Sequence, residues 1–218
     1  MRLLPFLDAG MIVILFTIIV KLILLPLSIK ASKAQLEMKR TEKDLALIKE
    51  QYTDKEEQAK KVMEYYKDHG INPFAGIFIL IIQLPILIGL YRVFIKSGLP
   101  VINTAMLYSF IGAPAAVNMV FLGLIDISQK SIILALLAGL STYFQVSIAN
   151  GSQKAGDSQS DMAKAMAVQM KYFLPALIAF VAYTVSSGVA LYLITSNLFA
   201  IAQEIYIKKK YHKAVFVE

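Results

Sequence analysis

Five apolar blocks, each about as long as a membrane span, decide what this chain can fold into. They cover residues 9–29, 74–94, 131–148, 169–185 and 188–207. A helix needs about 20 predominantly apolar residues to cross the hydrocarbon core of a bilayer. With 57% hydrophobic residues, the chain is also more apolar than an ordinary soluble domain. The pattern predicts an all-α polytopic membrane protein whose five transmembrane helices form a single unit, 1–218.

A sixth apolar stretch, 104–125, is broken by Gly112, Pro114 and Asn118. The distribution of cations decides against a sixth span, because Lys and Arg collect on the cytoplasmic side of membrane proteins. Five spans place seventeen of the 22 Lys and Arg residues on one side of the membrane and four on the other. The sequence therefore predicts an external N-terminus and three connecting or terminal segments, namely an external loop 95–130, a flexible cytoplasmic loop 149–164 and a basic cytoplasmic tail 208–218.

Residues 31–69 are rich in charge and contain neither glycine nor proline. Apolar residues recur there every three or four positions, as on one face of a helix. Thr53 and Glu56 match a capping box, which predicts that a second helix begins there, and Gly70 is a suitable stop. We predict a cytoplasmic helical hairpin with two facing apolar stripes. The pattern alone favours a solvated coiled coil over a docking arm, whose candidate residues are Leu45, Ile48, Tyr52, Met63 and Tyr66.

Lys21 lies in the middle of the first apolar block. A lysine near the centre of a bilayer costs about 2.5–3.5 kcal/mol on insertion scales unless it meets water or a partner. None of the acidic residues is a natural partner, because Asp8 and Asp126 lie near the external boundary and Glu204 near the cytoplasmic end. Lys30 marks that boundary about 13 Å away, too far for snorkelling to remove the whole cost. We therefore interpret Lys21 as a functional residue.

Other polar side chains recur within the predicted spans. Thr17 lies one helical turn before Lys21, and several polar residues crowd onto part of the last span. Polar faces on several helices can enclose a wet cavity, but Ser, Thr, Asn and Gln also hydrogen-bond helices together, which is the favoured reading for any single Ser or Thr. The candidate residues of a polar groove are Lys21, Thr17, Gln83, Gln145, Tyr192, Thr195, Ser196 and Asn197.

Signatures of enzymes and metal sites are missing from the sequence. There is no cysteine, and His69 and His212 lie far apart in polar segments, so no metal site is predicted. Phosphate-binding loops, zinc-protease motifs and nucleophile elbows are also absent, which predicts a protein that is not an enzyme and needs no cofactor. The first block lacks a small-residue cleavage site and reads as a retained span. Its abrupt start leaves open a longer natural N-terminus.

Four segments resemble, in order, the YidC/Oxa/Alb family of membrane-protein insertases. The first is VKLILLPL at 20–27, and the second combines YYK at 65–67, NP at 72–73, QLPI at 83–86 and LY at 90–91. The third is FLGLIDIS at 121–128, and the fourth combines SGVALY at 187–192 with SNL at 196–198. Each motif is weak alone, but together they cover essentially the whole chain.

The resemblance implies five spans, an external N-terminus and a cytoplasmic C-terminus in the bacterial plasma membrane. It also implies a groove open to cytoplasm and lipid, with a cation, usually arginine, at the position of Lys21. On this reading the chain is an insertase and chaperone that receives nascent membrane proteins and hydrolyses no nucleotide. The ribosome, the signal recognition pathway and the Sec translocon are further candidate partners, and DNA is not. A small transporter or channel, or a purely structural subunit, are the alternatives.

Overall fold

The computed structural model describes residues 8–72, 75–96, 117–150 and 169–213, and most of them are helical. The helices are α1 (Ala9–Ile23), α2 (Leu25–Arg40), α3 (Glu42–Gln51), α4 (Lys55–Asp68), α5 (Ala75–Lys96), α6 (Ile132–Asn150), α7 (Leu174–Thr184) and α8 (Ser187–Lys213). A π-helical turn, Gln169–Phe173, precedes α7, and two short strands lie between α5 and α6. Helix α8 lies at the centre, because α1, α2, α5, α6 and α7 all pack against it.

The membrane character of the chain is confirmed in outline. Among the described residues, α6 over Ile132–Ala149 and α8 over Ser187–Lys210 are each long and apolar enough to cross a bilayer. Helices α1 and α2 make a third candidate if the bent pair is one span. Helix α5 contributes a shorter apolar stretch, Gln83–Val93, and α7 has 11 residues. The count of five spans therefore stays a prediction.

The first predicted span, 9–29, is not one straight helix. The axis bends by 64° between α1 and α2, and Leu24 separates the two helices. Pro26 explains the break, because proline has no N–H to donate to the carbonyl of Leu22 and its ring crowds the preceding turn. Beyond the bend, α2 runs on to Arg40 and packs against α5 and α8.

The structure is mostly helical, as predicted, and adds one short β-hairpin that the sequence did not predict. Strands β1 (Val120–Phe121) and β2 (Ile125–Asp126) form an antiparallel hairpin. Leu122 and Gly123 make its turn with φ values of 51° and 73°, and glycine adopts such a conformation without strain. The hairpin lies within the predicted external loop 95–130, for which the sequence predicted no strand. Most of the rejected sixth span, 104–125, lies outside the described residues, which resume at Val117. From Val117 to Ile125 the chain is not helical.

Residues 117–131, called the loop cap below, are fastened to the ends of two helices. Asp8 caps α1 by accepting from the amide of Met11 at 2.8 Å, and its other oxygen accepts from the amide of Leu122 at 3.0 Å. At α8, the amides of Ser187 and Gly188 donate to the carbonyls of Gln129 and Ile127, at 2.8 and 2.9 Å. The loop cap thus ties the start of α1 to the start of α8.

Asp8→Ala should lower the free energy of unfolding by about 1–3 kcal/mol. The change removes a helix cap, worth about 0.5–2 kcal/mol, and leaves the Leu122 amide without its acceptor. The midpoint of unfolding in detergent micelles measures the loss. Asp54→Ala is the matched control, because the Asp54 carboxylate caps α4 through the amide of Glu57 and, among the described residues, accepts from no second element. Equal losses for the two variants would contradict a double role for Asp8.

The predicted helical hairpin 31–69 consists of three helices rather than two. Thr41 separates α2 from α3, and its hydroxyl donates to the carbonyl of Met38 at 3.1 Å. The predicted Thr53 cap is also wrong, since Asp54 is the residue that caps α4. The Asp54 carboxylate, one position later, can accept the same kind of hydrogen bond as the Thr53 hydroxyl. The sequence pattern therefore could not decide which of the two residues caps α4. Gly70, with φ of +64°, ends this segment as predicted.

Candidate functional site

Lys21 lies in the last turn of α1 and is partly buried. Thr17, one turn earlier, is fully buried, and its hydroxyl donates to the carbonyl of Val13 at 2.6 Å. This bond uses the proton of the Thr17 hydroxyl within its own helix. Among the described residues, the hydrogen bond of the Lys21 side chain goes to Gln83 and not to Thr17.

Lys21, Gln83 and Tyr192 form a chain of polar contacts across three helices. The Lys21 Nζ donates to the Oε1 of Gln83 on α5 at 3.5 Å, and the Nε2 of Gln83 donates to the hydroxyl of Tyr192 on α8. Gln83 is half-buried, whereas Tyr192 is only 1% exposed. These three side chains, called the Lys21 triad below, are the part of the predicted groove that the fold brings together.

Asn197 lies on the other side of α8. Its Nδ2 donates to the hydroxyls of Ser141 and Thr142 on α6, at 3.0 and 2.8 Å. Five residues separate Asn197 from Tyr192, which turns their side chains about 140° apart around the helix. Tyr192 and Asn197 therefore contact different helices, and Asn197 joins α6 to α8. The place of Asn197 in a groove stays a prediction.

The remaining groove candidates do not join the Lys21 triad. The hydroxyl of Thr195 donates to the carbonyl of Leu191 in the same helix at 2.8 Å. Ser196 is buried within α8, and Gln145 is half-buried on α6. Among the described residues, none of these three side chains hydrogen-bonds to a member of the triad.

Three polar contacts near the other end of α8 involve residues that were not among the predicted site residues. Gln203 donates to the hydroxyl of Ser28 on α2 at 2.7 Å, which fastens the helix beyond the bend. Glu204 is buried and pairs with Lys208 at 3.7 Å, and Lys208 also donates to the carbonyl of Ile148. The spacing of Glu204 and Lys208, four residues apart on a helix, was the available signal for this pair.

Apolar surface flanks the Lys21 triad on both neighbouring helices. Leu22 and Ile23 on α1 are 52% and 70% exposed, and Leu84 and Ile88 on α5 are 57% and 52% exposed. A cation and an amide therefore lie next to side chains suited to hydrocarbon. The arrangement can hold an anionic or polar group beside an apolar surface. Within the described residues, no group of three or more His, Cys, Asp or Glu side chains could bind a metal ion.

The candidate docking residues occupy different environments in α3 and α4. Leu45 is buried, Ile48, Tyr52 and Tyr66 are half-buried, and Met63 is 49% exposed. The spacing had placed Met63 on a stripe facing α3, but its exposure does not agree with that position. Neighbouring residues of α4 make the contact with α3. One such contact joins the Tyr65 hydroxyl to Asp44 at 2.7 Å, and this bond raises the pKa of Tyr65.

Comparison with known proteins gives one consistent result. The family model described as "60Kd inner membrane protein" matches residues 4–214. The chain is 31% identical over 202 residues to the membrane protein insertase YidC of Fusobacterium nucleatum, covering 92% of this chain and 86% of the relative. It is 30% identical over 206 residues to the insertase MisCA of Bacillus subtilis, covering 91% and 70%.

A third relative, the YidC insertase of Clostridium tetani, is 30% identical over 201 residues, covering 92% of this chain and 81% of that protein. The matches thus extend over nearly the whole chain and over most of these relatives. They agree with the four motifs that carry the resemblance to insertases. The family-model match from residue 4 to residue 214 shows that this chain belongs to the 60Kd inner membrane protein family, the YidC/Oxa/Alb family.

Proposed function

We propose that this protein is a membrane-protein insertase and folding chaperone that works through a polar groove around Lys21. The observation that carries the proposal is the position of the Lys21 cation, in contact with Gln83 at 3.5 Å and flanked by the exposed apolar faces of α1 and α5. Family membership and the printed function of the relatives support it.

The proposed mechanism follows from solvation. Moving a polar tail into hydrocarbon is costly because each unpaired polar group loses its water. A cation with nearby amide and hydroxyl groups replaces part of that water, so the tail of a nascent protein can move partway across. The apolar helix of the substrate then leaves sideways into lipid, driven by burial of its apolar surface. Neither step requires nucleotide hydrolysis.

The proposed topology has five spans, with the N-terminus outside and the C-terminus in the cytoplasm of a bacterium. The concentration of Lys and Arg in residues 30–73 and in the tail 208–218 supports this orientation. The groove would then open toward the cytoplasm and lipid, and the hairpin 31–69 would receive substrates or delivery factors. The ribosome, the signal recognition pathway and the Sec translocon are the candidate partners in this arrangement.

Purified protein in liposomes should insert a small membrane protein that has an acidic external tail, without nucleotide or other proteins. Protease protection of the tail measures insertion, and empty liposomes are the control. Failure to insert would contradict an autonomous insertase and favour a subunit that only binds partners. Ion flux across the same vesicles, without insertion, would instead favour a transporter or channel that uses Lys21.

A further inference from the structure

We propose that Gln83 is a placeholder for the substrate's carboxylate: its amide oxygen occupies Lys21 in the resting protein, and an incoming carboxylate displaces it. This inference rests on the proposed function and assigns Gln83 a role that differs from direct substrate contact. The evidence is the way in which one amide joins Lys21 on α1 to Tyr192 on α8.

The orientation of the Gln83 amide follows from its two neighbours. A lysine ammonium can only donate hydrogen bonds, so the oxygen of the amide must face Lys21. The amide nitrogen then faces Tyr192 and donates to its hydroxyl. Glutamine meets both requirements because it carries a donor and an acceptor on one planar group. An ammonium could not, because it has no acceptor for Lys21, whereas a carboxylate would accept from both Lys21 and the Tyr192 hydroxyl and would hold the cation more firmly.

The contact to Lys21 is the weaker half of this link. Its length, 3.5 Å, is well beyond the roughly 2.7–2.9 Å of a hydrogen bond between an ammonium and a carboxylate. A visiting carboxylate would therefore gain a shorter, charge-assisted bond when it replaces the neutral amide. Gln83 would keep its bond to Tyr192, so the displaced amide would remain held on the wall of the site.

A placeholder solves a problem that the position of Lys21 creates. Among the described residues, Gln83 is the polar partner that Lys21 has, and an unpaired charge in a membrane is costly. A permanent acidic partner would stabilise the Lys21 charge but would compete with the carboxylate of the substrate. The neutral amide of Gln83 stabilises the charge only in part, so a carboxylate can displace it. Neutral polar groups, by contrast, gain little because they only replace one neutral acceptor of Lys21 by another.

The test measures binding of a synthetic peptide, one apolar span with an acidic tail, to the purified protein in lipid nanodiscs. Gln83→Met removes the amide at nearly constant volume and should tighten peptide binding by about threefold to tenfold, because nothing has to be displaced. Gln83→Glu supplies a permanent carboxylate and should weaken binding by about tenfold or more. Direct contact between Gln83 and the substrate predicts the opposite sign for Gln83→Met.

Gln203→Glu is the matched control, since it adds the same charge to α8 about 16 Å along the helix from Tyr192. It should leave the affinity of the peptide near that of the unmodified protein. Unfolding midpoints identify any variant that fails to fold. The two variants are expected to change the affinity for the peptide in opposite directions, so a general loss of structure cannot produce the expected result. Weaker binding by Gln83→Met, or unchanged binding by Gln83→Glu, would overturn the placeholder. If the unmodified protein inserts substrates while these variants fail to differ, the proposed function stands and only the placeholder falls.

Discussion

Lys21→Ala should slow insertion of a membrane protein with an acidic external tail by about tenfold or more. A charge-assisted hydrogen bond contributes about 1.5–3 kcal/mol, and about 1.4 kcal/mol corresponds to a factor of ten. Alanine leaves Gln83 and Tyr192 in place but removes the cation that they adjoin. The initial rate of insertion in proteoliposomes measures the effect.

Lys21→Arg should retain most of this activity, because a positive charge stays at the same depth even though the shape of the donor group changes. Lys30→Ala is the matched control, since Lys30 is an exposed lysine nine residues further along the chain. A substrate whose tail carries amides instead of carboxylates should respond much less to Lys21→Ala. Equal slowing of both substrates would mean that Lys21 maintains the fold and does not attract the tail.

The sequence alone indicated that Lys21 belongs to a site, but it did not indicate which side chains Lys21 contacts. Lys21 was recognisable because a charge inside an apolar block is expensive wherever the helix lies. The contact between Gln83 and Lys21 agrees with the groove prediction, which stays a prediction, and the link from Gln83 to Tyr192 depends on how α5 packs against α8. The polar residues from Tyr192 to Asn197 extend over more than one helical turn and so point in several directions around α8. Only the packing of α6 shows which side Asn197 faces.

The helices themselves were largely predictable from hydropathy, since every predicted apolar block contains helix in its described part. The exceptions have local causes. Pro26 was visible in the sequence, yet a bend at Leu24 also requires that α2 find contacts with α5 and α8. The β-hairpin of the loop cap requires Gly123 in a left-handed conformation and anchoring by Asp8. Apolar periodicity alone contains neither kind of information.

Gly139→Ala should lower the free energy of unfolding by about 1–3 kcal/mol, the usual cost of adding volume to a well-packed core. A Cβ atom at Gly139 would lie 2.8 Å from the Cβ of Ala179 and 3.0 Å from the carbonyl oxygen of Pro175, both on α7. A backbone atom cannot swing aside, so α6 and α7 would have to separate. Titration of the purified protein with a denaturing detergent measures the loss.

Gly89→Ala provides the matched control on α5. A Cβ there would meet nothing within 4 Å, and alanine favours helix over glycine by up to about 1 kcal/mol. We therefore expect this variant to be as stable as the unmodified protein or slightly more stable. Close helix approach through small residues replaces the hydrophobic driving force that lipid does not supply. If both glycines tolerated alanine equally, the close approach of α6 and α7 at Gly139 would not be a source of stability.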